Sequence, residues 1–208
     1  MNRFLPVLIL CLASTVPAIA QTTPQFEIFG GGTWIRADIS PDFAAFGVTH
    51  VNAAGWNVSA TENINRWFGG TMDFSGGYSR PKIVDPVTGT SLSNLSNASL
   101  HTFTFGPNFT YRHAGRVVPF GRVLLGAATA RASTTSKGAL VLGAPEKISD
   151  TRFAIVAGGG ADISISRVVA IRGTVDWLRS TFQDFSGDRQ NSLRVSAGIV
   201  FRFGSLEH

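Results

Sequence analysis

A chain of 208 residues with 23 glycines, 15% charged residues and a net charge of +5 has room for one domain and too few charges for an ordinary soluble surface, where about 25% is usual. The positive charge is spread thinly, with no basic stripe and no aromatic RNA-binding motif, which excludes nucleic acid as a partner. The one cysteine, Cys11, falls in the leader, so the mature chain offers no disulfide, thiolate metal site or cysteine nucleophile.

Arg3, an apolar run from Phe4 to Val16 and the small-x-small site Ala18-Ile19-Ala20 together read as a secretory signal peptide, cleaved to leave Gln21 first. The run is shorter than the ~20 residues of a spanning helix. Residues 1–20 are therefore assigned to the leader and 21–203 to one domain. The tail 204–208 is set aside.

Eight strand segments then follow. Six of them alternate with a period of two, the signature of strands with one apolar and one polar face. Phe26 to Asp38 is less clean, and Phe120 to Arg131 is a strand by composition, with Arg122 and Gly126 inside if Val123 and Leu125 face out. The first, Phe26 to Asp38, contains Gly30-Gly31-Gly32; a bulge there would switch its faces, so its facing stays open. The next are Trp56 to Thr61, Phe68 to Tyr78 and Thr102 to Tyr111, the last carrying Pro107 in mid-strand. A bulge beside Gly106 would accommodate that proline. Phe120 to Arg131, Phe153 to Ile163, Val169 to Trp177 and Ser192 to Phe203 complete the set. Connections alternate between tight turns (61–66, 112–116, 164–167) and longer polar loops near 39–51, 81–100, 132–150 and 183–190. Each tight turn runs into Arg and two apolar residues: Arg66-Trp67-Phe68, Arg116-Val117-Val118 and Arg167-Val168-Val169.

No helical period appears, so the expected fold is all-β: an eight-stranded antiparallel up-and-down transmembrane barrel. A soluble lipocalin-like barrel would put the apolar faces inward, and Gly32-Thr33-Trp34 matches that family's short G-x-W signature. Side-chain size argues otherwise. The polar faces are mostly Gly, Ala, Ser, Thr and Asn, which suit a tight lumen. The apolar faces carry Phe, Trp, Tyr, Met and Ile, which suit lipid. Trp56, Phe68, Tyr78, Phe109, Tyr111, Trp177, Phe201 and Phe203 are expected to form the interfacial aromatic girdles.

The leader, the eight alternating strands, the short-and-long connections and phrases such as Asn65-Arg66-Trp67-Phe68-Gly69 and Phe105-Gly106-Pro107 resemble the small outer-membrane β-barrel family. That family includes the OmpA transmembrane domain, OmpX-like and opacity-type proteins, and porin-family barrels without a peptidoglycan-binding domain. The resemblance spans Phe26 to Phe203. It implies the outer membrane of a diderm bacterium, periplasmic termini, and insertion by the assembly machinery that reads the last strand. This chain departs from it by running five residues past Phe203.

Charges on the inward parity are the candidate functional residues: Asp73, Arg122, Asp162, Arg172, Asp176, Arg194 and Arg202. An eight-stranded barrel is just wide enough for its own side chains, so the leading expectation is a packed polar lumen in which these charges neutralise one another. A narrow ion or small-solute path is the alternative. A lipid-modifying enzyme is a third reading, for which His101 with Ser99 is the nearest constellation; His50 is placed in the first outer loop and His113 in a turn. No partner carboxylate stands at a recognisable spacing, and no cofactor or metal is expected. Gly158-Gly159-Gly160 lies within a strand and is read as structural, not as a phosphate loop. Arg80, Lys82, Arg131, Lys137, Lys147, Arg152, Arg179 and Arg189 fall at the long-loop end, where they would meet the phosphates of outer-membrane lipid and lipopolysaccharide or remain ordinary solvated charges. The loops are also where a surface ligand would bind.

Overall fold

The computed structural model describes residues 23–38, 50–80, 83–84, 91–92, 96–113, 115–134, 147–183 and 189–206. Its strands are β1 (Phe26–Asp38), β2 (His50–Asn63), β3 (Phe68–Ser79), β4 (Ile83–Val84), β5 (Ser91–Leu92), β6 (Ser96–Thr110), β7 (Val117–Thr134), β8 (Lys147–Ser164), β9 (Val169–Gln183) and β10 (Arg189–Phe203). Eight of them close into an antiparallel barrel in the order β1-β10-β9-β8-β7-β6-β3-β2, while β4 and β5 pair separately. Closure leaves no unpaired sheet edge, which is what hydrocarbon demands of a backbone it cannot hydrogen-bond.

Stagger and tilt follow from the pairing. A line drawn across the strands from Glu27 passes Thr61, Thr71 and Gly106, then Leu124, Val156, Leu178 and Ser192. It returns to β1 at Ala37, ten residues from its start. With eight strands, that stagger tilts each strand about 40° from the barrel axis. From Phe68 to Tyr78, β3 then rises about 25 Å, the height of the apolar band of such barrels.

Two of the tight turns, β2–β3 and β8–β9, use one device. In Ile64-Asn65-Arg66-Trp67-Phe68, Asn65 Oδ1 accepts the N–H groups of Trp67 and Phe68, both at 2.9 Å. In Ile165-Ser166-Arg167-Val168-Val169, Ser166 Oγ accepts those of Val168 and Val169 at 3.2 and 3.0 Å. A short polar side chain thus stands in for a backbone acceptor and fixes the turn.

Facing is uniform. Phe26, Ile28, Trp34, Trp56, Val58, Met72, Phe74, Phe103, Phe105, Val123, Leu125, Val175 and Ile199 all point outward and are exposed. Large apolar side chains on the outside, with polar ones inside, invert the soluble pattern and exclude the lipocalin-like arrangement.

Several details differ from the sequence reading. β1 carries no bulge: its register against both β2 and β10 is unbroken through Gly30-Gly31-Gly32, so Glu27, Phe29, Thr33 and Ile35 face inward and are buried. Pro107 needs no bulge either. The β6–β7 ladder lapses only at Gly106 and Pro107 and resumes at Asn108 opposite Arg122 in the same register; proline faces outward and simply omits its bond. His50 opens β2 instead of lying in a loop, and β6, β7 and β8 run further into the loop regions than their apolar faces announce. Strand pairing continues there because backbone hydrogen bonds tolerate any polar side chain. The tail is not idle: the Leu206 N–H donates to Thr23 O at 2.9 Å.

The seam between first and last strands sets Glu27 opposite Arg202, Gly31 opposite Gly198 and Thr33 opposite Ser196, the last pair hydrogen-bonded at 2.9 Å. At its centre a Cβ on either glycine would collide with the backbone of the other strand.

Outward Ala197 lies midway along β10. Its replacement, Ala197→Arg, is expected to lower the unfolding free energy in lipid vesicles by about 2–4 kcal/mol, the cost of arginine at the bilayer midplane. Urea titration followed by tryptophan fluorescence measures it; no loss would contradict the lipid-facing assignment of this wall.

Candidate functional site

Two clusters of buried charge occupy the lumen. In the one nearer the loop end, Arg122 of β7, Gly158 of β8, Asp176 of β9 and Arg194 of β10 lie on one row across the strands. The glycine is what lets Arg122 reach its partner: a Cβ at Gly158 would stand 2.5 Å from Asp176 Oδ1. Arg122 donates to both oxygens of Asp176, from Nε at 3.1 Å and Nη2 at 2.7 Å. Arg194 donates to Asp176 Oδ2 from Nε at 3.1 Å and Nη2 at 2.9 Å.

Asp73 comes from β3 on the opposite wall and closes the circuit. It accepts from Arg194 Nη1 at 2.8 Å, pairs with Arg122 Nη1 at 3.2 Å and takes a bond from Asn57 Nδ2 at 3.0 Å. Arg194 also donates to Ser75 Oγ at 3.0 Å. Two aspartates and two arginines therefore alternate in a neutral ring that spans the lumen, with side chains no more than 1% exposed. Buried charges hold only when paired in this way; each alone would be costly.

The second cluster sits nearer the turn end. Arg172 grips Asp162 with Nε at 2.7 Å and Nη2 at 2.9 Å, a planar fork matched to a carboxylate, and donates to Glu27 Oε2 at 2.6 Å. The same guanidinium lies 4.6 Å from the centre of the Phe120 ring, a cation–π contact strengthened by the burial of Arg172. Arg202 donates to Asp162 Oδ2 at 2.9 Å and Ser164 Oγ at 2.8 Å. Arg112 reaches in from the turn after β6, giving bonds to Glu27 Oε1 at 2.6 Å, Asn63 Oδ1 at 3.2 Å and the Arg66 carbonyl at 3.0 Å. Three arginines thus face two acids.

All seven charges expected inside are buried there. Glu27 and Arg112 were missed. Glu27 was hidden by the open facing of β1, whereas Arg112 continues the inward parity of Asn108 and Thr110 one step past the strand. That parity was the available signal. The lumen is also less polar than the small polar faces suggest. Leu124, Ala128, Ala154, Val156 and Leu178 form an apolar cluster inside it, and Phe29, Ala170 and Val200 form another. Closing these gaps with carbon needs no partner atom for each buried group, unlike filling them with hydroxyls.

Outside, Trp56, Tyr78 and Trp177 lie toward the loop end and Phe68, Phe109, Tyr111, Phe201 and Phe203 toward the turn end, all facing outward. Phe68 and Phe109 meet at 5.4 Å between ring centres. Arg80 and Arg131 are exposed above the first group, Arg179 lies 5.8 Å from the Trp177 ring, and Arg152 pairs with Asp150 at 2.9 Å. His101 stands on the outer surface with Nε2 3.3 Å from the Tyr78 hydroxyl, and His113 stacks on Tyr111 at 4.5 Å. Ala18, Ala20, Gln21, Lys82 and Lys137 lie outside the described residues, as do the side chains of His50, Lys147 and Arg189.

No protein-family model matches the chain, and no curated protein matches it. Solved structures do match its fold. Neisserial surface protein A (NspA) superposes with a TM-score of 0.64 at 12% identity, covering 86% of this chain and 97% of that one. The outer membrane protein OprG of Pseudomonas aeruginosa gives 0.60 at 12%, covering 89% and 98%. Ail, the attachment invasion locus protein of Yersinia pestis, gives 0.50 at 17%, covering 86% and 99%. The fold is that of the small eight-stranded outer-membrane barrels.

Asp176→Ala leaves two buried guanidiniums sharing the one carboxylate of Asp73 and is expected to cost about 3–5 kcal/mol in vesicle unfolding titrations. Adding Arg122→Leu, which leaves the neutral Asp73–Arg194 pair, should recover part of that loss. A double variant as unstable as the sum of the two single ones would show that the ring is not a coupled unit.

Proposed function

We propose that this chain is an integral protein of the outer membrane with a structural or surface-interacting role and a lumen sealed by its own side chains. The observation that carries this reading is the ring of Asp73, Arg122, Asp176 and Arg194, whose members bridge from β3 to β7, β9 and β10 with almost no exposure. An ion crossing there would have to displace charge-assisted bonds in a medium of low dielectric. The apolar cluster at Leu124, Val156 and Leu178 adds a layer without polar groups to solvate an ion.

In this reading the tight turns and both termini are periplasmic, and β10 is the strand handled by the assembly machinery. The leader ending at Ala18-Ile19-Ala20 directs export. The exposed cations Arg80 and Arg131 meet lipopolysaccharide phosphates beyond the aromatic girdle, and the loops engage whatever surface ligand the protein has. A non-catalytic role is supported by His101, which turns outward to Tyr78; among the described residues no carboxylate hydrogen-bonds to it.

Planar-bilayer recording tests the sealed lumen. The wild type is expected to give no steady conductance, whereas the quadruple variant with Ser at 73, 122, 176 and 194 should open a measurable path. Steady, ion-selective conductance by the wild type would overturn the proposal in favour of a narrow channel.

A further inference from the structure

The outer wall is not smooth. Toward the turn end a groove of about 610 Å³ opens between Phe26 and Ile28 of β1, Ile64 and Phe68 at the β2–β3 turn, and Met72 and Phe105 on β3 and β6. That volume falls within the ~300–1,000 Å³ of ordinary small-molecule sites. Its floor is Ala60, Gly70 and Gly106, flanked by Pro107. Gly70 faces outward with nothing within 4 Å of where its Cβ would be, so the missing side chain is open space and not a packing necessity. The groove is thus a gap in an otherwise aromatic belt, and its long rims are apolar.

One charge stands at its mouth. Glu62 lines the groove, is exposed, and sits between Phe26 on one neighbouring strand and Gly70 on the other. Among the described residues it is the one carboxylate pointing outward from the turn-end half of the wall, and no described cation pairs with it. A carboxylate at the edge of a hydrocarbon band is tolerated best with a counter-charge. The rest of the lining is mostly apolar, and Glu27, Thr61 and Thr71, which also border it, turn their side chains into the lumen.

We infer that this groove binds a phospholipid whose headgroup carries a primary ammonium, with one acyl chain laid over Gly70 and Ala60 and the ammonium on Glu62. The inference rests on the reading of this wall as lipid-facing. The groove is continuous with that wall, so its occupant is drawn from the bilayer, and the Glu62 carboxylate favours a zwitterionic headgroup that carries an ammonium over one whose only charge is a phosphate. Three ammonium hydrogens and a carboxylate form charge-assisted bonds that a hydroxylated anionic headgroup cannot match.

The test is native mass spectrometry of the full chain released from nanodiscs of equimolar phosphatidylethanolamine and phosphatidylglycerol. The wild type should retain one phospholipid, with ethanolamine favoured roughly two- to fivefold, the range of an exposed ion pair. Gly70→Leu, which fills the open space, should lose the retained lipid while keeping the heat-modifiable gel migration of a folded barrel. Glu62→Gln should still retain lipid but show no headgroup preference. Retention by Gly70→Leu equal to wild type, or a wild-type preference unchanged in Glu62→Gln, would overturn the inference. A wild type that stays monomeric and soluble without detergent would instead sink the membrane reading itself, a separate and distinguishable failure.

Discussion

The ring of Asp73, Arg122, Asp176 and Arg194 is the constraint around which the interior is arranged. Its members come from four strands and meet across the lumen, so each wall is held at the reach of an arginine. Hydrogen bonds between neighbouring strands fix the distance along the circumference but say nothing about the distance across. The ring supplies that second dimension. It works because the stagger of the barrel makes the interior narrow enough for a side chain from β3 to touch those of β7 and β10. Glycine at 158 then clears the row between Arg122 and Asp176.

The turn-end cluster follows another logic. There Glu27, Asp162, Arg112, Arg172 and Arg202 share oxygens through forks and single contacts, and the aromatic faces of Phe29 and Phe120 take up part of the Arg172 charge. The excess of one cation is placed where Arg112 comes in from a turn, at the end of the barrel and not at its centre. Burial pulls the Arg112 guanidinium below its ordinary proton affinity, and the Glu27 carboxylate beside it pushes the other way. Neutrality is enforced at mid-barrel and relaxed at the mouth.

Much of this was legible in the chain. Strict alternation in β3, β9 and β10 puts Asp73, Arg172, Asp176 and Arg194 on the face opposite the aromatics, and a one-residue slip would turn those aromatics inward. What alternation could not supply was the pairing across the lumen, which depends on stagger, a property of all eight registers together. Nor could it decide β1, where glycines at 30, 31 and 32 erase the contrast between faces; Glu27 went unnoticed for that reason. The inward Leu124 and Val156 were obscured in strands that carry apolar residues on both faces, and Leu178 lies one step past Trp177, where the alternating run read from the sequence ends. Pro107 misled in the other direction: it suggested a bulge, whereas one omitted bond suffices.

The β1–β10 seam has a consequence for how the molecule finishes assembling. Its middle, Gly31 against Gly198, carries no side chains to report whether the two strands have met in step. A slip of two residues would preserve facing and go unpunished there. The information sits on either side: Glu27 beside Arg202 below, and Thr33 bonded to Ser196 above. A misaligned closure would carry the Glu27 carboxylate away from Arg112, Arg172 and Arg202, all within 4.0 Å of it in this register, and leave it buried without them. The buried ions thus act as a combination lock on this seam, favouring one alignment of the first and last strands.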